Sequence, residues 1–586
     1  MDPTNPQSTS LSSSAGNGAR LWPTLLVVLI QVGLVTIWIS PSNENLFRLM
    51  LMTLGALLCS FMFMILLVFA SRLTWRVSLL TILAIVILGI ISGICAAPFT
   101  TIAYLIYGFP LAMVATWIGL ALTHKRSAKS QIIGVVSGAA LVWLGMSLIR
   151  IERVQWSFLP VVALRWQPTA EEKLLAQGPF ETPKLSENNA QAAAWSADRL
   201  EWPGFRGLRG DGRVTEPLPK MDWQQNPPKE LWRRPVGPGW SSMSVVSGRL
   251  FTQEQRGEYE LVSCYNAETG EPVWQHKEQS RFEEMQSGAG PRATPTFANG
   301  IIYAYGAKAV LMALDATDGK LLWRRDLMLE FNAALPIWGF CTSPVVYGDN
   351  VVVFAGGDGE NGFIAFDKTT GEVRWRMSER GMNFSSPQLM KFGEQSMLVI
   401  NKTGATLGLD PNSGKVLWQQ ETFSNGSPAI VQPQQLNDTG LIIPFGDDKG
   451  VGYIELTSAP DANWGVQEKW RTRSIKPWYN DYLYHDGHVY GFDKQFFVCV
   501  DTQDGSLKWK SRKFGFGQAV LVQSTGQVVM LSEDGEVRLI DVSPVESKQL
   551  GSVQVLNDTC WNHPIIAGGR LYVRNSVEMV CLELPQ

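Results

Sequence analysis

The chain has 586 residues with 45% apolar content and 22 Trp, enough for several packed cores and incompatible with wholesale disorder. Its formal charge of −3 hides an asymmetry: residues 1–150 hold 8 Lys/Arg against 2 Asp/Glu, which leaves −9 for the remainder. A mildly acidic soluble part argues against nucleic acid as a partner.

Residues 1–20, rich in Ser, Asn, Gly and Pro without apolar periodicity, read as a flexible cytoplasmic tail. Residues 21–150 form a membrane domain of five apolar stretches, at about 22–40, 47–70, 77–97, 101–122 and 131–149, each near the ~20 residues a helix needs to cross a bilayer. Pro110 is expected to kink the fourth. Arg20, Arg72, Arg76, Lys125, Arg126 and Lys129 fall in the tail and in the second and fourth loops, whereas the first loop has only Arg48 and the third has none. That bias places the tail in the cytoplasm and, after five crossings of the inner membrane, the rest of the chain in the periplasm. The first stretch lacks the basic cluster and cleavage site of a signal peptide. Apart from Arg48 at a margin, no charged residue lies within the stretches, so the domain reads as an anchor in membrane lipid; the alternative is a quinone or partner site among the helices.

Residues 151–229 form a connector. A short helix is expected between Leu164 and Gln177, starting after Pro168 with Glu171 and Glu172 near its positive end. Gly178 to Asn189 reads as a linker, and the Gly- and Arg-rich run Trp202 to Gly212 is expected to pack under the domain that follows.

Residues 230–586 are built on a repeat in which Asp is followed by Gly at +4 and Trp at +8. It recurs as Asp315/Gly319/Trp323, Asp367/Gly371/Trp375, Asp410/Gly414/Trp418 and Asp501/Gly505/Trp509, and as Asn266/Gly270/Trp274. The carboxylate closes a turn on backbone N–H groups, the Gly supplies a positive φ, and the Trp buries a large ring against a neighbouring unit. Trp232, Trp274, Trp323, Trp375, Trp418, Trp470 and Trp509 follow at intervals of 39 to 52 residues, the length of a four-stranded propeller blade. Blade three shows four strands at Pro344–Tyr347, Val351–Ala355, Phe363–Phe366 and Glu372–Arg376. After Trp509 the chain holds one more blade, from Gly517 to about Leu556, and three strands of another, so Glu230 to Arg234 is expected to supply the missing outer strand. The predicted fold is an all-β propeller of eight four-stranded antiparallel blades, preceded by five transmembrane helices. Blade five carries an insertion, Leu456 to Trp464, and blade seven keeps Asp541 without the Gly and Trp, so the ring is expected to be weakest there.

The Asp-x-x-x-Gly-x-x-x-Trp set resembles the pyrroloquinoline quinone (PQQ) repeat of quinoprotein dehydrogenases and of BamB-like propellers, a family that contains enzymes and scaffolds alike. Trp-Pro-Gly-Phe-Arg-Gly at 202–207, Gly-Pro-Arg-Ala-Thr-Pro at 290–295 and Arg165 to Gln177 resemble membrane-tethered PQQ-binding-like propeller proteins.

Cys264, Cys499 and Cys581 occupy one place in the third strand, which Ala313, Ala365 and Gly408 fill elsewhere, so a small buried packing position explains them. Cys341 and Cys560 fall in blades too far apart to pair. No Cys-x-x-Cys, zinc spacing, Gly-x-Ser-x-Gly elbow or phosphate loop occurs; Asp358–Asn361 lacks calcium-loop spacing, and the five His share no metal spacing, so no metal site is expected. The residues ahead of the first strands should point to the central channel on one face. They collect Arg292, Trp338, Asn383, Asn425, Tyr479, Asn480, Asp481, Trp561, Asn562 and His563, a set that could hold a planar anion or could equally be the polar mouth of any propeller.

Two functions follow. The first is a non-catalytic envelope propeller that binds protein, peptide or envelope polymer over its face and needs no cofactor. The second is implied by a likeness to membrane glucose dehydrogenases, which also resemble five helices followed by an eight-bladed ring: a quinoprotein oxidoreductase using PQQ with calcium and passing electrons to quinone. Three departures weigh against it. There is no Cys-Cys pair, which excludes only the alcohol-oxidising branch, since the glucose enzymes lack it too; a ring of about 357 residues leaves little room for pocket-building insertions; and the family's calcium ligands and catalytic Asp match no positions here.

Overall fold

Without water to satisfy the backbone, apolar runs of this length fold as helices. The computed structural model describes residues 21–39, 46–70, 74–94, 96, 103–154, 160–178, 195, 201–357, 359–378, 382–423, 429–446, 448–458 and 464–585. The chain divides into two compact units, 1–168 with 285–288 and 169–284 with 289–586.

The first unit contains helices Leu21–Ile39, Leu46–Ala70, Trp75–Ile94, Phe109–Thr123 and Ala128–Leu148. All five expected apolar helices are present; among the described residues the spans Met50–Phe69, Trp75–Ile94, Tyr104–Thr123 and Ala128–Leu148 are long and apolar enough to cross a membrane, and Leu21–Ile37 is a shorter apolar stretch. The irregularity expected at Pro110 is a π turn, Tyr104–Gly108, just ahead of it, where the proline ring displaces the preceding turn. The last two helices approach closely through small residues spaced by four. A Cβ on Gly119 would lie 2.0 Å from the Gly134 carbonyl oxygen, and one on Gly138 2.3 Å from that of Ala115. A hairpin that the sequence did not announce, Ile149–Val154 paired with Pro160–Leu164, follows.

The second unit opens with helix Ala170–Ala176, started by a Thr169/Glu172 capping box, and then builds the ring. Among the described residues there are eight four-stranded antiparallel blades, at 244–279, 296–326, 345–377, 388–421, 434–472, 483–513 and 517–554, with the eighth made of 565–583 and 229–235. Lys229–Pro235 closes the circle against Glu578–Glu583, with Trp232 opposite Cys581. Blade seven gains a fifth, parallel strand from the connector, Arg213–Val214.

The repeat residues show why their spacing holds. Asp315 Oδ1 accepts the Thr317 N–H at 2.8 Å, and Asn266, Asp367, Asp410 and Asp501 make the same turn-closing bond. Gly270, Gly319, Gly371, Gly414 and Gly505 all have φ between 71° and 75°. Each also carries the indole of the preceding blade on its bare Cα: a Cβ on Gly319 would lie 2.5 Å from Trp274, and one on Gly371 2.7 Å from Trp323. Each of these indoles donates its N–H to the carbonyl just after the neighbouring Asp or Asn, as from Trp274 to Ala316 at 3.0 Å and from Trp375 to Pro411 at 3.0 Å. One motif therefore locks two blades.

The two degenerate blades are repaired differently. Blade five offers no Gly, so Trp418 turns onto Gly408 of its own sheet and meets Met397 Sδ at 3.2 Å, while the insertion lengthens the hairpin so that Trp464 and Val466 pack against the same cluster. In blade seven the Trp position is Gly551, opposite Leu539, and Trp223 of the connector lies against it, 3% exposed, with a Cβ on Gly551 falling 2.6 Å from its own Cβ. An indole from outside the repeat takes the place of the missing one. Cys264 and Cys499 stand opposite Trp274 and Trp509, as Cys581 does opposite Trp232; all three are free and buried, with burial holding the Cys499 and Cys581 thiols up at about 12.

Candidate functional site

In a propeller the loops that pass from one blade to the next lie on one face, here called the crossover face, and the Asp–Gly turns lie on the other, the hairpin face. The connector crosses the axis on the hairpin side. Trp202 pairs with Val245 of blade one, the Phe297 N–H of blade two donates to the Pro203 carbonyl at 2.7 Å, and Arg213–Val214 joins blade seven. Between these attachments the loop folds through positive φ at Arg206, Gly207, Gly210 and Gly212 and sends Arg206 into the ring.

Arg206 is 1% exposed. Its Nε lies 3.3 Å from Asp481 Oδ2 and its Nη2 donates to the carbonyls of Tyr482 and Asp211. Asp481 Oδ2 also meets His563 Nε2 at 3.0 Å, and Oδ1 accepts the Gln432 N–H at 2.9 Å. Phe205 sets its ring edge-on to His563 at 5.0 Å. Burial opposes ionisation of Asp481, but Arg206 and His563 outweigh it and lower its pKa; burial lowers the pKa of His563 despite the Asp481 bond. One carboxylate thus ties the loops into blades five, six and eight to the connector.

The remaining expected funnel residues are likewise held. Asn480 accepts the Gly517 N–H and donates to the Pro477 carbonyl, Asn562 donates to Ser241, and Asn383 to Ser385. Trp561 donates to Glu533 and packs on Trp240, while Tyr479, Trp478 and Phe516 pack together as a cluster of three rings. Arg292 forms a separate group: it donates to the carbonyls of Ala289, Gly290 and Trp338 over the Phe282 ring, with Trp338 on Phe384. Asn425 lies outside the described residues. Arg206, Gln432 and Glu533 were not foreseen as members; an arginine among glycines at 204–212 is the signal that could have flagged the first.

A planar quinone bearing three carboxylates, with its calcium, would need uncommitted cations and a cluster of anionic oxygens. Here both axial arginines are engaged with protein oxygens, although Arg206 Nη1 has no hydrogen-bond partner and its Nε meets Asp481 only as an ion pair, and among the described residues no three His, Cys, Asp or Glu converge as metal ligands. These residues do not fit that group.

An open concavity lies on the hairpin side. It is a cleft of about 780 Å³ between residues 203–213 of the connector and the first strands of blades two to five, from Thr296–Asn299 through Ser343–Val346 and Ser386–Lys391 to Pro433–Asp438. Its walls mix Leu208, which is 50% exposed, Val346 and Leu436 with Arg209, Asp211, Gln388 and Asp438.

The sequence family of the outer membrane protein assembly factor BamB matches residues 225–324 and 258–439. The ring is a BamB-like, PQQ-repeat propeller. Among its relatives are the outer membrane protein assembly factor BamB of Yersinia pestis, 25% identical over 50% of this chain and 72% of that one, and of Burkholderia pseudomallei, 24% identical over 60% and 98%. The quinoprotein alcohol dehydrogenase PedH of Pseudomonas putida is 24% identical over 48% of this chain, which spans about half (47%) of that enzyme's length. The crystal structure of BamB from Moraxella catarrhalis superposes with a TM-score of 0.45 at 12% identity, over 61% of this chain and 100% of that one. PQQ-repeat propellers thus include both assembly factors and dehydrogenases.

Proposed function

We propose that this chain is a binding propeller of the cell envelope, anchored in the inner membrane with its ring on the periplasmic side, that holds a segment of a protein or envelope polymer in the cleft beside residues 203–213. The observation that carries this reading is the Arg206–Asp481–His563 cluster: it commits the axial charges to holding ring and connector together, while the hairpin-side cleft keeps exposed groups. The names of the BamB relatives favour a partner from outer-membrane protein assembly. The loop charges of the helical region favour the stated side.

Two measurements test it. The purified chain is incubated with PQQ and calcium and followed by quinone absorbance and dye reduction; no saturable binding and no turnover are expected, and turnover would replace this reading with a dehydrogenase. A photo-crosslinking residue in place of Leu208 should then capture an added, unfolded outer-membrane barrel polypeptide, whereas one in place of Val545, 82% exposed on blade seven, should not. Equal capture at both positions would refute the cleft.

A further inference from the structure

The longest crossover in the ring runs from blade two to blade three, residues 327–344. It begins as a one-turn helix, Leu327–Phe331, with Asp326 Oδ1 accepting the Leu329 N–H at 3.2 Å, and stops on Asn332 at φ 53°. Leu327, Phe331, Ala333 and Phe340 are buried in the ring core and pin the loop at both ends. Between those pins three large aliphatic side chains face outward: Leu329 is 84% exposed, Leu335 41% and Ile337 61%. From Phe331 to Tyr347 there is no charged residue. The next three crossovers add Met382, Phe423 and Trp478, exposed at 39%, 49% and 36% on the same face. Exposed apolar groups on four consecutive crossovers mark a surface that is covered in use.

We propose that this arc of the crossover face rests in the headgroup region of the bilayer. Lipid is the occupant the observations favour. The same polypeptide carries four helices able to cross a membrane, so the bilayer is held at high effective concentration beside the ring. The arc's longest crossover is free of charge from Phe331 to Tyr347, and the arc as a whole carries the Leu, Ile, Met, Phe and Trp of interfacial segments, with Glu330, Arg473 and Lys476 along its margin. The inference goes beyond the binding role proposed above, and it leaves the hairpin face, with its cleft, to water.

The test uses the full chain in phosphatidylethanolamine/phosphatidylglycerol vesicles, with an environment-sensitive fluorescent amino acid in place of Leu329, Ile337 or, as a control on the hairpin side, Val545. These side chains are exposed, so the fold tolerates the exchange. Emission from positions 329 and 337 is expected to shift to the blue and to be quenched by spin-labelled lipid, while that from 545 stays red and unquenched. Labels at 329 and 337 that behave like the one at 545 overturn the proposal. A blue shift without lipid quenching, growing with protein density, points to a second copy and overturns it equally. Failure here leaves capture at position 208 untouched, so the two readings fall separately.

Discussion

Gly319 and Gly248 separate the two tasks a repeat glycine performs. They share a backbone conformation, φ 75° and 76°, but a Cβ on Gly319 meets Trp274 Cε3 at 2.5 Å whereas one on Gly248 meets nothing within 4 Å. Both Gly→Ala changes therefore carry left-handed strain of about 1–2 kcal/mol. Gly319→Ala must also push the Trp274 ring away, an overpacking cost of about 1–3 kcal/mol, and stretch its 3.0 Å bond to the Ala316 carbonyl, about 1 kcal/mol more. Gly319→Ala is thus expected to lose about 2–4 kcal/mol beyond Gly248→Ala. Guanidinium unfolding of both purified variants, followed by the far-ultraviolet signal of the strands, reads the difference as a lower midpoint at unchanged slope. Equal midpoints would show that the indole does not rest on the glycine and would remove the account of how blades lock.

Trp223→Ala and Trp323→Ala should each cost about 3–5 kcal/mol, because each empties a buried indole site; a Trp223→Ala midpoint matching wild type would mean that blade seven does not depend on the connector. Burial raises the Glu260 carboxyl to about 7, so the fold keeps a proton that the unfolded chain releases above about pH 4.5, and stability falls as pH rises through that window. Glu260→Gln should therefore gain up to about 3 kcal/mol at pH 8 and nothing at pH 4, measured by the same unfolding curves. Burial lowers the His563 pKa, so below about pH 6.5 the unfolded chain takes up a proton that the fold refuses, and stability drops as pH falls; the Asp481 contribution, with its lowered pKa, is lost only at more acid pH. His563→Gln should flatten the stability profile just below pH 6.5, and an unchanged slope would place the proton elsewhere.

Much of the ring was legible because its repeat is local chemistry. The strands expected in blade three fall within one residue of Val345–Tyr347, Asn350–Phe354, Phe363–Asp367 and Val373–Met377, since alternating apolar residues and an Asp–Gly turn specify a hairpin without outside help. Closure by the strand around Trp232 followed from counting, because an incomplete last sheet needs an outer partner. The candidate site was only half legible. Asp481 and His563 could be placed at the axis from their position ahead of a first strand, but nothing local shows that Arg206, 275 residues before Asp481, would join them. The cleft is likewise made by a loop lying across four blades and has no motif of its own.

By itself the amino-acid order determined the helices, the blades and their number, since bilayer-length apolar runs and the Asp/Gly/Trp spacing act over fewer than about 25 residues at a time. Only the folded chain decided that Trp223 completes blade seven, that Trp418 turns onto its own sheet, and that Arg206 consumes the charge of Asp481. Trp223 and Arg206 meet partners hundreds of residues away that only the closed ring brings near, and Trp418 turns back because the next blade offers no Gly to receive it, so no single repeat carries a record of these outcomes.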